Sequence, residues 1–233
     1  MSVNYLDLFS GIGGFHKGIL EAGIKINKCY FSEINKYATK IYSKRFPDSI
    51  PLGSVTGIKA EELGKIDLVT FGFPCQDLSV AGKRRGLKGE RSGLFFEAMR
   101  LIRELKPSLF VFENVAGLLT SNDGKDFEVV LREVADIGIY ECEWQLLNTS
   151  WFLPQNRERV YFVGHLGGTG GSKVFPIGEN SQEVNGIQRQ PTTNTLKARY
   201  EAIGDGSYII EGQFDAQRNT SCTIRSQQGG ALP

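Results

Sequence analysis

Along the first two-thirds of the chain, short apolar runs alternate with segments of helical periodicity, and the runs end at glycine, proline or acidic residues. This pattern constrains the fold more than any other feature. Strand–helix–strand units join parallel strands through right-handed crossovers, and the sheet they build is covered by helices on both faces. The expected strands are 5–9, 28–32, 67–71 and 109–112. A first helix carries Phe15, Ile19, Leu20 and Ala22 at helical spacing, with Gly23 as its stop. A second spans 35–46 and is closed by Pro47. A third spans 94–105, with Leu94, Phe95, Ala98, Leu101, Ile102 and Leu105 apolar, and ends before Pro107. Asn122 or Asp123 caps a fourth, which runs to about Asp136 with Gly138 as its stop. The strand-like runs 142–147 and 160–164 are close enough in sequence to pair antiparallel. The fold class is α/β, a sheet with helices on both faces, in which ligands sit at the carboxyl ends of the strands.

Four motifs lie at such ends or in the loops after them. Gly72-Phe73-Pro74-Cys75-Gln76 puts a thiol on a tight turn after an apolar run. Lys83, Arg84, Arg85, Lys88 and Arg91 follow it, interleaved with Gly82, Gly86 and Gly89. A charge run alone reads as a solvated loop. Beside a thiol it reads as a clamp for an anionic polymer, and positive charge there favours the nucleophilic thiolate. The net charge of +1 argues neither for nor against a nucleic-acid partner.

The second motif is Gly11-x-Gly13-Gly14, which follows a strand and opens a helix. A dinucleotide fingerprint would need glycine at 16, where His16 stands, so a nicotinamide oxidoreductase is disfavoured. Asp7 within the strand and Glu33 after the next one suggest another nucleoside ligand, with Glu33 placed to accept from ribose hydroxyls. Glu113-Asn114-Val115 ends a third apolar strand, where a partly desolvated carboxylate suits acid–base work. Its bland alternative is a cap or an ion-pair partner. In Gln155-Asn156-Arg157-Glu158-Arg159, one strand face can carry a guanidinium toward the site, although a salt bridge with Glu158 would explain it too.

The remaining sequence mostly excludes. Cys29, Cys75, Cys142 and Cys222 form no C-x-x-C pair and no metal-ligand spacing, and Cys29 and Cys142 read as buried packing. The first residues show neither a basic n-region nor an apolar h-region, and no stretch is long enough to span a bilayer. A reducing, cytoplasmic setting follows, without membrane or metal. The triplets at Asn148 and Asn219 are then chance matches to a glycosylation signal.

Together the motifs resemble the cytosine-C5 DNA methyltransferase family. The matching segments are Asp7-Leu8-Phe9-Ser10-Gly11-Ile12-Gly13-Gly14-Phe15, Gly72-Phe73-Pro74-Cys75-Gln76, Arg91-Ser92-Gly93-Leu94-Phe95-Phe96, Glu113-Asn114-Val115 and Gln155-Asn156-Arg157-Glu158-Arg159-Val160. They occur in family order across about residues 3–165. The resemblance implies a class I S-adenosylmethionine-dependent methyltransferase fold and transfer of a methyl group to C5 of a cytosine flipped out of duplex DNA. It implies Cys75 as nucleophile, Glu113 as the group at N3, Arg159 at O2, and Asn114 orienting the loop. For S-adenosyl-L-methionine it implies Asp7, Phe9 against the adenine, Ser10, Gly11, Gly13, Gly14, Glu33, Ser54, Val55 and Pro74. For DNA it implies Gln76, Ser79, Lys83, Arg84, Arg85, Arg91 and Arg157. A restriction-modification or phage-like origin follows from the same resemblance.

Two departures qualify it. Where the family commonly has Gly-Asp before an apolar residue, this chain has Gly53-Ser54-Val55, so weaker cofactor binding is expected. The family's last segments are also missing. Residues 1–166 read as the catalytic domain and 173–233 as part of a target-recognition region, with 167–171 as a linker. A second polypeptide supplying the closing segment, an inactive remnant, and a methyltransferase acting on cytosine in RNA are the alternatives.

Overall fold

The computed structural model describes residues 2–74, 93–167, 174, 175 and 177, and the backbone of short strands within 195–226. Two compact units are present, Met1–Asn114 and Val115–Pro233.

The first unit is a parallel sheet. Strand β1 (Ser2–Leu8) lies between β2 (Lys25–Ser32) and β4 (Leu68–Gly72); the two-residue β3 (Ile50–Pro51) flanks β2, and β5 (Leu109–Val115) flanks β4. Tyr5, Leu6 and Leu8 of β1 and Val69 and Phe71 of β4 are fully buried. That accounts for apolar runs without alternation, since strands covered on both faces need apolar residues on both. The connecting helices are α1 (Gly14–Glu21), α2 (Lys36–Arg45) and α3 (Leu94–Leu105). Helix α3 has the bounds its spacing predicts, and it buries Phe95, Ala98, Met99, Leu101 and Ile102. Helix α2 starts where Asn35 Oδ1 accepts from the amides of Tyr37 and Ala38, an N-cap.

Strand β4 and helix α2 differ from the sequence reading by one residue at each end, and three strands differ at more telling boundaries. Strand β1 begins at Ser2 and stops at Leu8, because Phe9 adopts φ +51°, outside the β region. Strand β2 begins at Lys25 rather than 28. Strand β5 runs beyond 112 through Glu113 and Asn114 to Val115, with Glu113 in register with Gly72 of β4.

In the second unit, α4 spans Lys125–Ala135. Neither Asn122 nor Asp123 caps it. Both have positive φ, within a 3-10 turn at Ser121–Gly124, and the cap position is Gly124 at φ +82°. The misreading has a physical source: the short polar side chains that favour N-caps also tolerate the left-handed region. Strands β6 (Tyr140–Asn148) and β7 (Glu158–Leu166) pair antiparallel as expected, with Trp144 opposite Phe162 and Leu147 opposite Arg159. On the other edge of β6 lies β11 (Ser221–Ser226), which also pairs β9 (Tyr208–Glu211), and β8 (Thr195–Leu196) pairs β10 (Phe214–Asp215).

Two neighbours on one face of β6 hold a passing stretch of chain by its backbone. Glu143 accepts from the amides of Val174 and Phe175 at 3.3 and 3.2 Å. Gln145, fully buried, donates to the Ile177 carbonyl at 2.9 Å and accepts from the Ile177 amide at 2.8 Å. Residues two apart on a strand share a face, so the pair reads an extended backbone as a neighbouring strand would. Replacing both (Glu143→Ala with Gln145→Ala) is expected to speed amide exchange at Val174, Phe175 and Ile177 by about tenfold, the loss of bonds worth roughly 1 kcal/mol each. Exchange at Phe162 in β7 should not change. Unchanged rates at the three tethered amides would refute the tether.

Candidate functional site

The glycine turn between β1 and α1 is backbone in unusual conformations. Phe9, Gly11 and Gly13 have φ of +51°, +54° and +88°. A non-glycine residue with positive φ is strained and persists only where its surroundings over-determine it. Ser10 N donates to Ser32 O at 3.1 Å, and Gly13 N donates to Ser10 O at 2.9 Å. Glu33 holds the middle of the turn, its Oε2 accepting from Gly11 N at 2.8 Å and its Oε1 from Asn35 N at 2.8 Å. A carboxylate has about four lone-pair sites, so two such bonds orient Glu33 and leave capacity for hydroxyl donors. A Cβ added to Gly11 or Gly14 would meet nothing within 4 Å. Ser10 Oγ is buried without a hydrogen-bond partner among the described residues. An open turn, an unengaged hydroxyl and an anchored acid fit a nucleoside with polar groups on its tail. Ser54 is exposed, and its Oγ accepts from Thr56 N at 3.4 Å and pairs Thr56 Oγ1 at 2.9 Å, while Val55 beside it is buried.

Beneath the turn lies a buried polar cluster. Asp7 is fully buried; its Oδ1 accepts from Thr70 Oγ1 at 2.9 Å and its Oδ2 from Tyr42 Oη at 3.1 Å. Tyr5 Oη, 2.5 Å from Thr70 Oγ1, completes that side. Burial pushes the Asp7 carboxyl up to about 7, against the hydrogen bonds from Thr70 and Tyr42 that favour its charge. His16, where a dinucleotide fingerprint would have its third glycine, stacks on Phe46 at 3.8 Å between ring centres and meets Tyr42 Oη through Nδ1 at 2.9 Å. Burial lowers its pKa to about 4 and keeps it neutral.

The raised Asp7 pKa makes a stability prediction with a definite sign. The native state prefers the protonated acid, so this contribution is complete below the ordinary carboxylate value near 4 and is lost as pH rises to about 7. Asn cannot ionise. The melting temperature of Asp7→Asn, relative to the unsubstituted protein, should therefore rise between pH 4 and 7 and level off above. A difference that stays flat over that range would contradict it.

The second part of the site is the carboxyl end of β4 and β5. Gly72 and Glu113 are register partners, and a Cβ on Gly72 would meet Glu113 Cγ at 3.4 Å and Oε1 at 3.5 Å, so the carboxyl side chain lies over Gly72. Asn114 is buried, and its Nδ2 donates to Phe73 O at 3.0 Å. The Phe73 ring packs among Phe71, Phe95 and Phe112, with centroids at 6.3, 4.6 and 6.2 Å. Pro74 follows, exposed. Phe73, just beyond β4, is thus clamped by an amide and three aromatic rings beside Glu113. Cys75, Gln76, Ser79, Lys83, Arg84, Arg85 and Arg91 lie outside the described residues.

In the second unit Arg159 is partly exposed on β7, its Nη1 donating to the Glu158 carbonyl at 2.7 Å, and Arg157 is exposed just before the strand. Sequence reasoning missed the Tyr42–His16–Asp7 connection and the grip of Asn114 on Phe73. The second had a signal, since an amide next to an acid at a strand end needs a partner once buried. Among the described residues no group of three or more His, Cys, Asp or Glu could hold a metal ion, and no helix is long and apolar enough to cross a membrane.

The family model for C-5 cytosine-specific DNA methylase matches residues 3–230. The chain is 38% identical over 176 residues to the type II methyltransferase M.NlaIV of Neisseria lactamica, covering 70% of this chain and 41% of that protein. It is 34% identical over 207 residues to the type II methyltransferase M.BsuFI of Bacillus subtilis, covering 86% and 49%, and 38% identical over 162 residues to the orphan methyltransferase M.Rho11sI of Bacillus phage rho11s, covering 68% and 32%. The chain thus spans less than half the length of these relatives. Among solved structures it resembles the Schizosaccharomyces pombe Dnmt2 methyltransferase with TM-score 0.58 at 23% identity, over 75% of this chain and 52% of that one, which supports the class I methyltransferase fold.

Proposed function

Since the chain belongs to the C-5 cytosine-specific DNA methylase family, we propose that it carries the catalytic region of a DNA (cytosine-5)-methyltransferase of a restriction-modification or phage system, acting in the cytoplasm on duplex DNA. The observation that carries this reading is the placement of Glu113 over Gly72, beside the clamped Phe73. An acid and a thiol are what addition to a pyrimidine ring requires, and Cys75 follows Pro74 directly in the sequence. S-adenosyl-L-methionine, when bound, supplies an electrophilic methyl group. Phe9, Ser10, Gly11, Gly13, Gly14 and Glu33 would hold it, with Asp7 beneath the turn and Ser54, Val55 and Pro74 at its margins.

The cytosine must leave the duplex for its ring to be reached. The 83–91 loop, with Gln76, Ser79 and Arg157, would grip the DNA, largely through phosphates. The Cys75 thiolate adds to C6, forming an S–C6 bond and leaving the ring electron pair at C5. Glu113 delivers its proton to N3, where negative charge would otherwise build up, and Arg159 steadies O2. Once C5 carries the methyl group, its proton is lost to a base, the C5–H electron pair re-forms the C5=C6 bond as the S–C6 bond breaks to release the thiolate, and N3 returns its proton to the Glu113 carboxylate.

The test is tritium transfer from labelled S-adenosylmethionine to duplex DNA, with tRNA as competitor. The 233-residue chain is assayed alone and with the C-terminal part of a relative. Label at cytosine C5 of DNA supports the reading, and appearance of it only with the added part points to a second polypeptide. Label in tRNA in preference to DNA would shift the substrate to RNA. No transfer by folded protein in either arm would overturn the enzyme reading.

A further inference from the structure

Helix α2 and its C-terminal neighbour Phe46 touch the glycine turn at three points. A Cβ on Gly13 would come 2.4 Å from Phe46 Cε2 and 3.1 Å from Tyr42 Cδ2 and Cε2, so these two rings form the floor of the turn. Arg45 Nη1 donates to Ile12 O at 3.3 Å. The Tyr42 hydroxyl, fully buried, donates to Asp7 Oδ2 near the end of β1, and its oxygen is 2.9 Å from Nδ1 of His16 near the start of α1. With the tyrosine proton directed at Asp7, the His16 proton sits on Nδ1 and points at the tyrosine oxygen. One hydroxyl therefore ties together the two elements between which the turn is strung. The turn needs such a constraint, because it contains Phe9 in a left-handed conformation. Also facing the cluster are Tyr5 on β1, Cys29 on β2 (its Sγ 3.7 Å from Tyr42 Oη), Thr70 on β4 and Ser49 beside Cys29, with the Glu33 carboxylate acting on Asp7.

We propose that Tyr42 is a positioning residue for the nucleoside cofactor: by linking His16 to Asp7 its hydroxyl holds residues 9–13, strained Phe9 included, in the shape that receives the ligand. This rests on reading the turn as the S-adenosylmethionine site. Tyr42 touches no reacting atom in this role, so its loss should weaken binding more than it slows the bound complex.

The test is Tyr42→Phe, which keeps the ring against Gly13 and removes only the hydroxyl. Its comparison is Leu101→Ala, a cavity in the α3 core away from the turn. Calorimetric titration with S-adenosylmethionine should show about a tenfold rise in Kd for Tyr42→Phe. In the ligand-free protein, amide exchange at Gly11 and Gly13 should be about tenfold faster. Where methyl transfer is measurable, KM for the cofactor should rise while kcat stays within about twofold. Leu101→Ala should lower the melting temperature and leave Kd and these two exchange rates unchanged. Equal effects of both variants, or unchanged Kd and exchange in Tyr42→Phe, would overturn the proposal. If the unsubstituted protein binds no S-adenosylmethionine, the cofactor reading fails and the proposal with it, whereas the exchange rates still report whether Tyr42 holds the turn.

Discussion

Cys75→Ser should abolish methyl transfer while leaving the affinity for S-adenosylmethionine within about twofold. A serine hydroxyl is almost wholly un-ionised at neutral pH, whereas a thiol is a few per cent thiolate even before positive charge or backbone amides lower its pKa. The substitution changes one atom two positions after Phe73, which is fixed independently by the Asn114 bond to its carbonyl and by its packing against Phe95 and Phe112. Loss of activity from misfolding is therefore separable from loss of the nucleophile: the melting temperature and cofactor titration should not move, and the transfer rate should fall by roughly 10,000-fold or more. Tritium transfer under single-turnover conditions is the measurement. A serine variant that transfers methyl at the unsubstituted rate would rule out covalent addition by this residue.

The parallel sheet was legible because its strands are apolar on both faces and its helices are punctuated by Gly23, Pro47, Pro107 and Gly138. Helix α3 came out with its full bounds because nothing competes with its apolar spacing. The failures share a cause. Phe9, Asn122 and Asp123 all adopt left-handed conformations that tertiary context imposes and composition does not announce. Glu113-Asn114-Val115 read as the end of an apolar strand, and the pairing of Glu113 with Gly72 of β4 shows that the ladder runs past Phe112. The acid and the glycine turn were visible from spacing. What supports them was not, since it depends on groups far apart in sequence: Asn114 reaches Phe73 across 41 positions, and Tyr42 reaches Asp7 across 35. Glu143 likewise meets groups far along the chain, accepting from the amides of Val174 and Phe175 across 31 and 32 positions.

Glu113→Gln should cut methyl transfer by roughly two orders of magnitude or more, within the range assigned to positioned acid–base groups, with little loss of stability. The side chain lies in van der Waals contact range of the space above Gly72, and glutamine has nearly the same shape, so packing is preserved. What changes is the proton. A carboxyl group can give one to N3 as the thiolate adds at C6. An amide can offer only a hydrogen bond, leaving the developing charge on the ring partly uncompensated. The effect should appear in the rate of the bound complex rather than in cofactor affinity, because Glu113 sits at the end of β5 whereas Glu33 and the glycine turn follow β2 and β1. Gly72→Ala offers an opposing control. Its methyl group would sit 3.4 Å from Glu113 Cγ, an ordinary contact, so the carboxyl would keep its chemistry and lose some freedom to swing. Rates should then fall far less than in Glu113→Gln. Single-turnover transfer measured for both, beside calorimetric Kd values, separates the readings: a large drop in Gly72→Ala with a small one in Glu113→Gln would mean that backbone geometry at this strand end, and not the acid, limits the reaction.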